Sequence, residues 1–416
     1  MDSMKLTCAL VLLVVGLVGL PGLVWGGGGG LQRCDFPAIY NFGDSNSDTG
    51  AISAALSEAH TPNGETFFGH PSGRFCDGRL IIDFIAEELK LQYLSAYLDS
   101  LGTNFRHGAN FATGGSTILP PGFSPFHLGI QISQFLQFKS RTTALYNQLS
   151  PNRKTPPFKS SLPRPKDFSK AIYTFDIGQN DLVYGFQHTT KEQVRLSIPN
   201  ILTKFSQAVN KEGARVFWVH NSGPIGCLPY GVIYEKSKPG NLDQIGCVKP
   251  ENEVAQEFNR QLKDRVFKLR AQLPNATFTY VDVYSAKYAL ISNAKNEGFV
   301  DPFEFCCGSF YGYHIDWGKK ATVNGTIFGN PCHNPSNHIS WDGIHYSEAA
   351  NLWIAKRILN SSLSDPPVSI GEACYHHNNF GKVEKGKVNA NDNLEEVDAD
   401  TLQRLEKLLA GLRSNI

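Results

Sequence analysis

Runs of apolar, β-prone residues recur along the chain at "FPAIYNF", "NFRHGANFA", "AIYTFDI", "ARVFWVHN" and "TFTYVDV", and segments with helical spacing lie between several of them. Strands alternating with helices predict an α/β fold in which a parallel sheet is flanked by helices. Each run is near-continuously hydrophobic, as expected when both sheet faces are covered. In "RLIIDFIAEELKL", Leu80, Ile81, Phe84, Ile85 and Leu89 share one helical face, and residues 191–211 and 251–272 behave in the same way. Open sheets of this type bind ligands beyond the carboxyl ends of their strands, so polar residues just after a strand carry the most interest.

The pattern breaks at three places. Residues 150–168, rich in Pro, Lys and Ser, read as a surface loop because the alternation resumes after them. From about residue 376 the chain turns polar, and it ends in "TLQRLEKLLAGLRSNI", where Leu402, Leu405, Leu409 and Leu412 make a short amphipathic helix with Asp400 and Gln403 as its capping box. At the other end Lys5 precedes "LTCALVLLVVGLVGL", Pro21 and the small residue Gly26, the layout of a secretory signal peptide over residues 1–26. The apolar run is shorter than the roughly 20 residues of a spanning helix, so no stable membrane span is expected once the signal is removed.

Secretion changes how the cysteines read, since an oxidising compartment lets thiols pair. Of nine cysteines, Cys8 falls in the signal, leaving Cys34, Cys76, Cys227, Cys247, Cys306, Cys307, Cys332 and Cys374, enough for up to four disulfides. Loop proximity pairs Cys227 with Cys247, and one of Cys306 and Cys307 with Cys332. The adjacent Cys306 and Cys307 lack zinc-site spacing, so neither metal nor cofactor is expected. Sequons at Asn275, Asn324 and Asn360 fit a secreted glycoprotein. With 39 basic against 38 acidic residues and no basic cluster, nucleic acid is not an expected partner. Oligomeric state is left open.

Candidate chemistry follows from the strand-end rule. Gly43-Asp44-Ser45 comes after the first run, Gly114-Gly115-Ser116 after the second and Gly178-Gln179-Asn180-Asp181 after the third, while "SWDGIHYSEAAN" sets Asp342 and His345 three residues apart at the mouth of a helix. Hydroxyl attack on an ester needs a base, a group that orients the base and donors for the oxyanion. His345 can take the Ser45 proton while Asp342 holds the other ring nitrogen. The backbone N–H groups of Ser45 and Gly115 and the side-chain amide of Asn180 are the oxyanion candidates. Each residue also has an ordinary structural role open to it. Ser45, Gly115 and Asn180 can be turn residues, Asp342 the cap of a helix beginning near Ile344, and His345 a satisfied surface histidine. Chance must supply all of them together for those roles to suffice.

Four ordered blocks, "FGDSNSDTG", "GANFATGGS", "DIGQND" and "SWDGIHYSEAAN", resemble the plant GDSL esterase/lipase family of the SGNH hydrolase superfamily, from about Cys34 to Cys374. The last block is similar to the subgroup that includes early-nodulin-like proteins and acetyl esterases. The resemblance implies a three-layer αβα sandwich over residues 34–375 with a central, mostly parallel sheet. It also implies Ser45, Gly115, Asn180 and His345 as the four family positions, with Asp342 completing a triad. Two departures stand out: Asn46 follows the G-D-S triplet where the family name has Leu, and the tail after Tyr375 has no counterpart.

The leading expectation is therefore a secreted serine esterase, extracellular or in the cell wall. It would remove short acyl groups, acetyl above all, from glycosides or cell-wall polysaccharides through an acyl-enzyme on Ser45. An acyltransferase using the same triad and a non-catalytic binding or defence protein on this scaffold are the alternatives.

Overall fold

Each of the five apolar runs contains a strand of one sheet. The computed structural model describes residues 33–56, 58–148, 157–210, 214–235, 240–307, 310–311, 314–315, 321–323, 326–328 and 332–375. The segment 1–26 expected to be a signal peptide, the tail 376–416 with its expected helix, and Asn324 lie outside them. Strands β1 (Ile39–Gly43), β2 (Gly108–Asn110), β3 (Ile172–Asp176), β4 (Val216–His220) and β5 (Thr277–Val281) pair in parallel in the order β5-β4-β3-β1-β2. A short strand, β6 (Ser364–Asp365), adds antiparallel to the β5 edge. Its two polar residues give no strand signal; tertiary placement makes it a strand.

The helices are α1 (Ala51–Ala55), α2 (Ile81–Glu88), α3 (Leu128–Gln148), α4 (Gln179–His188), α5 (Lys191–Val209), α6 (Pro229–Glu235), α7 (Lys249–Gln272), α8 (Val283–Ser292) and α9 (Glu348–Ile358). On one side of the sheet α3 packs on α5 and α5 on α7; on the other α9 packs on both α2 and α8. The result is the three-layer sandwich, with a mostly parallel sheet at its centre.

The two faces of the sheet differ in a way that the run composition hides. Register aligns Tyr40, Tyr173, Phe217 and Phe278 across β1, β3, β4 and β5, with Phe42 beside Phe175 one pleat further on. These rings touch in sequence: Phe217 stacks on Phe278 at 4.3 Å and Phe42 on Phe175 at 4.9 Å. Phe135 of α3 meets Tyr40 edge-on at 5.1 Å and Phe111 at 5.7 Å. The alternate positions, Asn41, Thr174, Asp176, Trp218 and His220, point the other way. Asn41 accepts from Thr174 Oγ1 at 2.7 Å and donates to Asn110 Oδ1 at 2.8 Å. One face is thus an aromatic core and the other a polar network in which Asn41, Thr174 and Asn110 are bonded while Trp218 Nε1 and His220 Nε2 are buried without a hydrogen-bond partner, so the strands are less uniformly apolar than their runs suggest.

Helix α2 departs similarly from its expected single apolar face, being buried nearly all round. Its Asp83 is buried too, paired with the Arg74 guanidinium at 2.7 and 2.8 Å. Three disulfides form among the described residues: Cys227–Cys247 as expected, Cys306 rather than Cys307 with Cys332, and Cys34–Cys374, which ties together positions 340 apart. Cys76 and Cys307 are buried thiols. His338 approaches Cys332 Sγ at 3.6 Å, but that sulfur is held in its disulfide and offers no thiolate to a metal. Asn275 and Asn360 are exposed.

Phe135 is fully buried among at least five aromatic rings. Phe135→Ala is expected to lower unfolding free energy by about 3–5 kcal/mol, read by urea denaturation, because the rings around it cannot collapse into the gap.

Candidate active site

Strand β1 ends in a tightly held turn. A side chain at Gly43 would come within 2.5 Å of the Asp176 carbonyl, so only glycine lets β1 run this close to β3. Gln131 of α3 clamps the same residue, accepting from its N–H at 3.0 Å and donating to its carbonyl at 2.8 Å. The chain then turns: Ser47 N–H donates to the Asp44 carbonyl at 3.1 Å, and Asn46 N–H to Asp44 Oδ1 at 3.0 Å. Ser45, between them, is half-buried and faces His345.

Beneath this turn, Asp48 accepts four backbone N–H groups, those of Gly50, Ala51, Ile52 and Gly114. Three belong to the start of α1, which a carboxylate caps well. The fourth joins the first sequence block to the second. Burial raises the Asp48 pKa, against those four donors.

The histidine comes from the loop before α9. The expectation that Asp342 sits at the mouth of a helix needs correction, because α9 starts at Glu348 and its cap is Ser347, whose hydroxyl accepts the Ala350 N–H at 3.2 Å. Asp342 instead closes a turn through Gly343, its Oδ1 accepting from Ile344 N–H at 2.8 Å and His345 N–H at 2.7 Å. Its Oδ2 lies 2.7 Å from His345 Nδ1. A carboxylate only accepts, so Nδ1 carries the proton and Nε2 presents a lone pair. That nitrogen stands 2.6 Å from Ser45 Oγ. Asp342 is fully buried and His345 nearly so. Phe75 stacks on the imidazole with ring centres 5.4 Å apart.

Gly115 and Asn180 follow β2 and β3 at the same sheet edge. The Asn180 amide donates to the Ser116 carbonyl at 3.1 Å, and Asp181 Oδ2 and Oδ1 accept from Ile118 N–H at 2.8 Å and Leu119 N–H at 2.9 Å. These bonds fasten the loop after β2 to the first turn of α4. Burial pushes Asp181 up to about 7. The glycines here serve packing. A side chain at Gly114 would come within 2.9 Å of Phe75, the ring that backs His345, and Gly115 has a positive φ of 74° with Phe123 3.0 Å from its Cβ position.

The structure therefore brings Ser45, His345 and Asp342 into one hydrogen-bonded chain and sets Gly115 and Asn180 on the adjoining strand ends. Sequence reasoning named Asp44 and Asp181 in the strand-end clusters without giving them a role, and missed the groups behind them: Asp48, Asp176, His220 and Lys287. Asp48 was accessible as an acid just before an apolar turn of helix. The others sit at strand ends or on a helix face where pattern alone predicts a hydrophobe. Burial, and then Asp176, push Asp44 up to about 7.

This arrangement can activate a hydroxyl and protonate a leaving group. Comparison with known proteins agrees with such chemistry. Residues 39–358 match the family model of GDSL-like lipases/acylhydrolases. A GDSL esterase/lipase of Arabidopsis thaliana is 53% identical over 376 residues, covering 89% of this chain and 98% of that one. A protein named Esterase from Hevea brasiliensis is 47% identical, covering 83% and 90%. The GDSL esterase/lipase ENOD8 of Medicago truncatula is 46% identical, covering 83% and 91%. With matched residues running from β1 to the end of α9, the chain belongs to the GDSL-like lipase/acylhydrolase family, among its plant esterases, and is a carboxylic ester hydrolase.

Proposed function

We propose that the chain is a secreted serine esterase that forms an acyl-enzyme on Ser45 and removes short acyl groups, acetyl above all, from glycosides or cell-wall polysaccharides. The observation that carries this reading is the unbroken chain from Ser45 Oγ through His345 to Asp342, with contacts of 2.6 and 2.7 Å. His345 Nε2 takes the hydroxyl proton as Oγ attacks the ester carbonyl, and Asp342 steadies the imidazolium that results. The oxyanion is met by the N–H groups of Ser45 and Gly115 and by the Asn180 amide. Collapse expels the alcohol, which takes its proton from His345. Water then attacks the acyl-enzyme, gives a proton to His345, and the second collapse releases the carboxylic acid and restores the Ser45 hydroxyl.

The remaining parts of the reading have separate support. Three disulfides among the described residues fit an oxidising compartment, as does the signal-like N-terminus. The sequons at Asn275 and Asn360 are on the surface, where a glycan can be carried. No helix among the described residues is long and apolar enough to cross a membrane. The acetyl and saccharide preference follows from the resemblance of the "SWDGIHYSEAAN" block to acetyl esterases.

Ser45→Ala is expected to abolish hydrolysis of p-nitrophenyl acetate and butyrate; turnover at the wild-type level would refute the reading. His345→Ala should be about as severe, since the two groups act as a unit. Asn180→Ala should lower turnover roughly 10²-fold if its amide meets the oxyanion, with the remaining donors sustaining the rest. Release of acetate from acetylated xylan and acetylated glycosides, compared with hydrolysis of long-chain esters, checks the substrate class. A preference for the long chains would contradict it.

A further inference from the structure

The loop between β2 and α3 is fastened to the start of α4 through Asn180 and Asp181, and it is also closed on itself. Ser116 Oγ donates to the Phe126 carbonyl at 2.7 Å, and Leu128 N–H to the Thr117 carbonyl at 2.8 Å. What this held loop presents to water is a phenyl ring. Phe123 is 47% exposed, although its Cβ stands only 3.0 Å from where a Cβ on Gly115 would be. A single exposed ring is ordinary. This one belongs to a set.

Tyr184 meets Phe123 edge-on, with ring centres 5.2 Å apart and planes at 74°. On α4, Tyr184 comes one turn after Asn180 and His188 one turn after that, so the three side chains share a helix face. The step from Asn180 to Tyr184 is roughly 6 Å along the axis, and aromatic side chains on a helix lean back toward its N-terminus, here toward Asn180. His188 stacks on Tyr184 at 3.9 Å between ring centres. Its Nδ1 donates to the Tyr184 carbonyl at 2.7 Å, which leaves Nε2 of the neutral ring as an acceptor. Tyr184 is thus gripped between two rings while remaining partly exposed. Phe123, Tyr184 and His188 form a line of rings that starts at the two oxyanion positions and is open to water along its length.

We propose that the Phe123–Tyr184 pair is the subsite for the alcohol part of the ester, receiving the face of a sugar ring while the acetyl carbonyl lies at Gly115 and Asn180. This rests on the reading of the chain as an esterase of acetylated saccharides, and it names the residues that would set that preference. A long acyl chain gains from being enclosed on all sides, and a half-exposed pair of rings leaves one side of it wet. A pyranose carries C–H groups on its faces and hydroxyls around its rim. Laid on the rings, it takes the C–H face out of water and leaves the hydroxyls solvated, with His188 Nε2 as an acceptor for one of them. The bonds that close the loop and stack His188 on Tyr184 hold the rings in place before substrate arrives, so little ordering cost falls on binding.

The test is kcat/KM for an acetylated xylooligosaccharide divided by kcat/KM for methyl acetate, whose alcohol part is too small to reach the rings, measured on the full chain. Phe123→Ala should lower this ratio about tenfold, through KM for the saccharide rather than through kcat. Phe123→Tyr, which keeps an aromatic face, should hold the ratio within about twofold of wild type. Phe123→Leu, which keeps apolar bulk without the ring, should fall with the alanine variant, and Tyr184→Ala should move the ratio in the same direction from the other half of the pair. Ratios for Phe123→Ala and Tyr184→Ala that match wild type would overturn the proposal, and so would a leucine variant equal to wild type. If thermal unfolding shows that Phe123→Ala does not fold, Phe123→Leu and Tyr184→Ala decide. A wild-type chain that cleaves methyl acetate but no acetylated saccharide contradicts the substrate reading and the subsite with it, whereas an unmoved ratio in the variants contradicts the subsite alone.

Discussion

The hydrogen bond from Ser45 to His345 spans 300 positions of chain, and the proposed chemistry depends on those two atoms staying within bonding reach. A serine hydroxyl is a weak nucleophile until a base is held against it. Each partner is held by its own set of bonds. On the serine side, Gln131 clamps Gly43 and Asp48 gathers four N–H groups from two separate segments. On the histidine side, Asp342 serves both its own turn and the imidazole, and Phe75 covers the ring. The sheet aligns the strand ends that carry these turns, while the Cys34–Cys374 disulfide ties the first described segment to the last.

Placing buried acids behind Ser45 has a thermodynamic consequence. Asp44 and Asp181, both raised to about 7 mainly by burial, keep protons in the folded state that the unfolded chain has released by about pH 4. Between those limits the folded state binds more protons than the unfolded one, so these two groups destabilise the fold as pH rises through that window. Asp167 and Asp365 act in the opposite sense. Burial raises both, yet arginine partners, joined by Lys263 at Asp365, hold them below the usual range, so they contribute stability at neutral pH that is lost on acidification. Asp44 and Asp181 lie at the site and the Asp167 and Asp365 pairs away from it, while Asp176, beside Asp44, is raised by burial yet held below the usual range chiefly by His220.

Much of this was legible in the sequence because it rests on local pattern. The five apolar runs each contain a strand, residues 191–211 contain α5, and 251–272 fall within α7. Ser45, Asp342 and His345 were visible as polar residues at strand ends and in one short block. Relations between segments were less legible. The dipeptide that forms β6 has no strand signal of its own and becomes a strand only by lying against β5. The choice of Cys306 over Cys307, and the pairing of Cys34 with Cys374, depend on spatial approach that spacing does not encode. Lys287 is the clearest case: helical periodicity marks its position as core, and only the packed structure shows a buried lysine there with the Tyr346 ring 4.5 Å from its Nζ.

The most direct measurement is mass spectrometry of protein quenched with acid during turnover of an acetyl ester. The account predicts an acetyl group on the proteolytic peptide that contains Ser45, present during turnover and gone once substrate is exhausted. Acetyl carried on a different residue during turnover would contradict it.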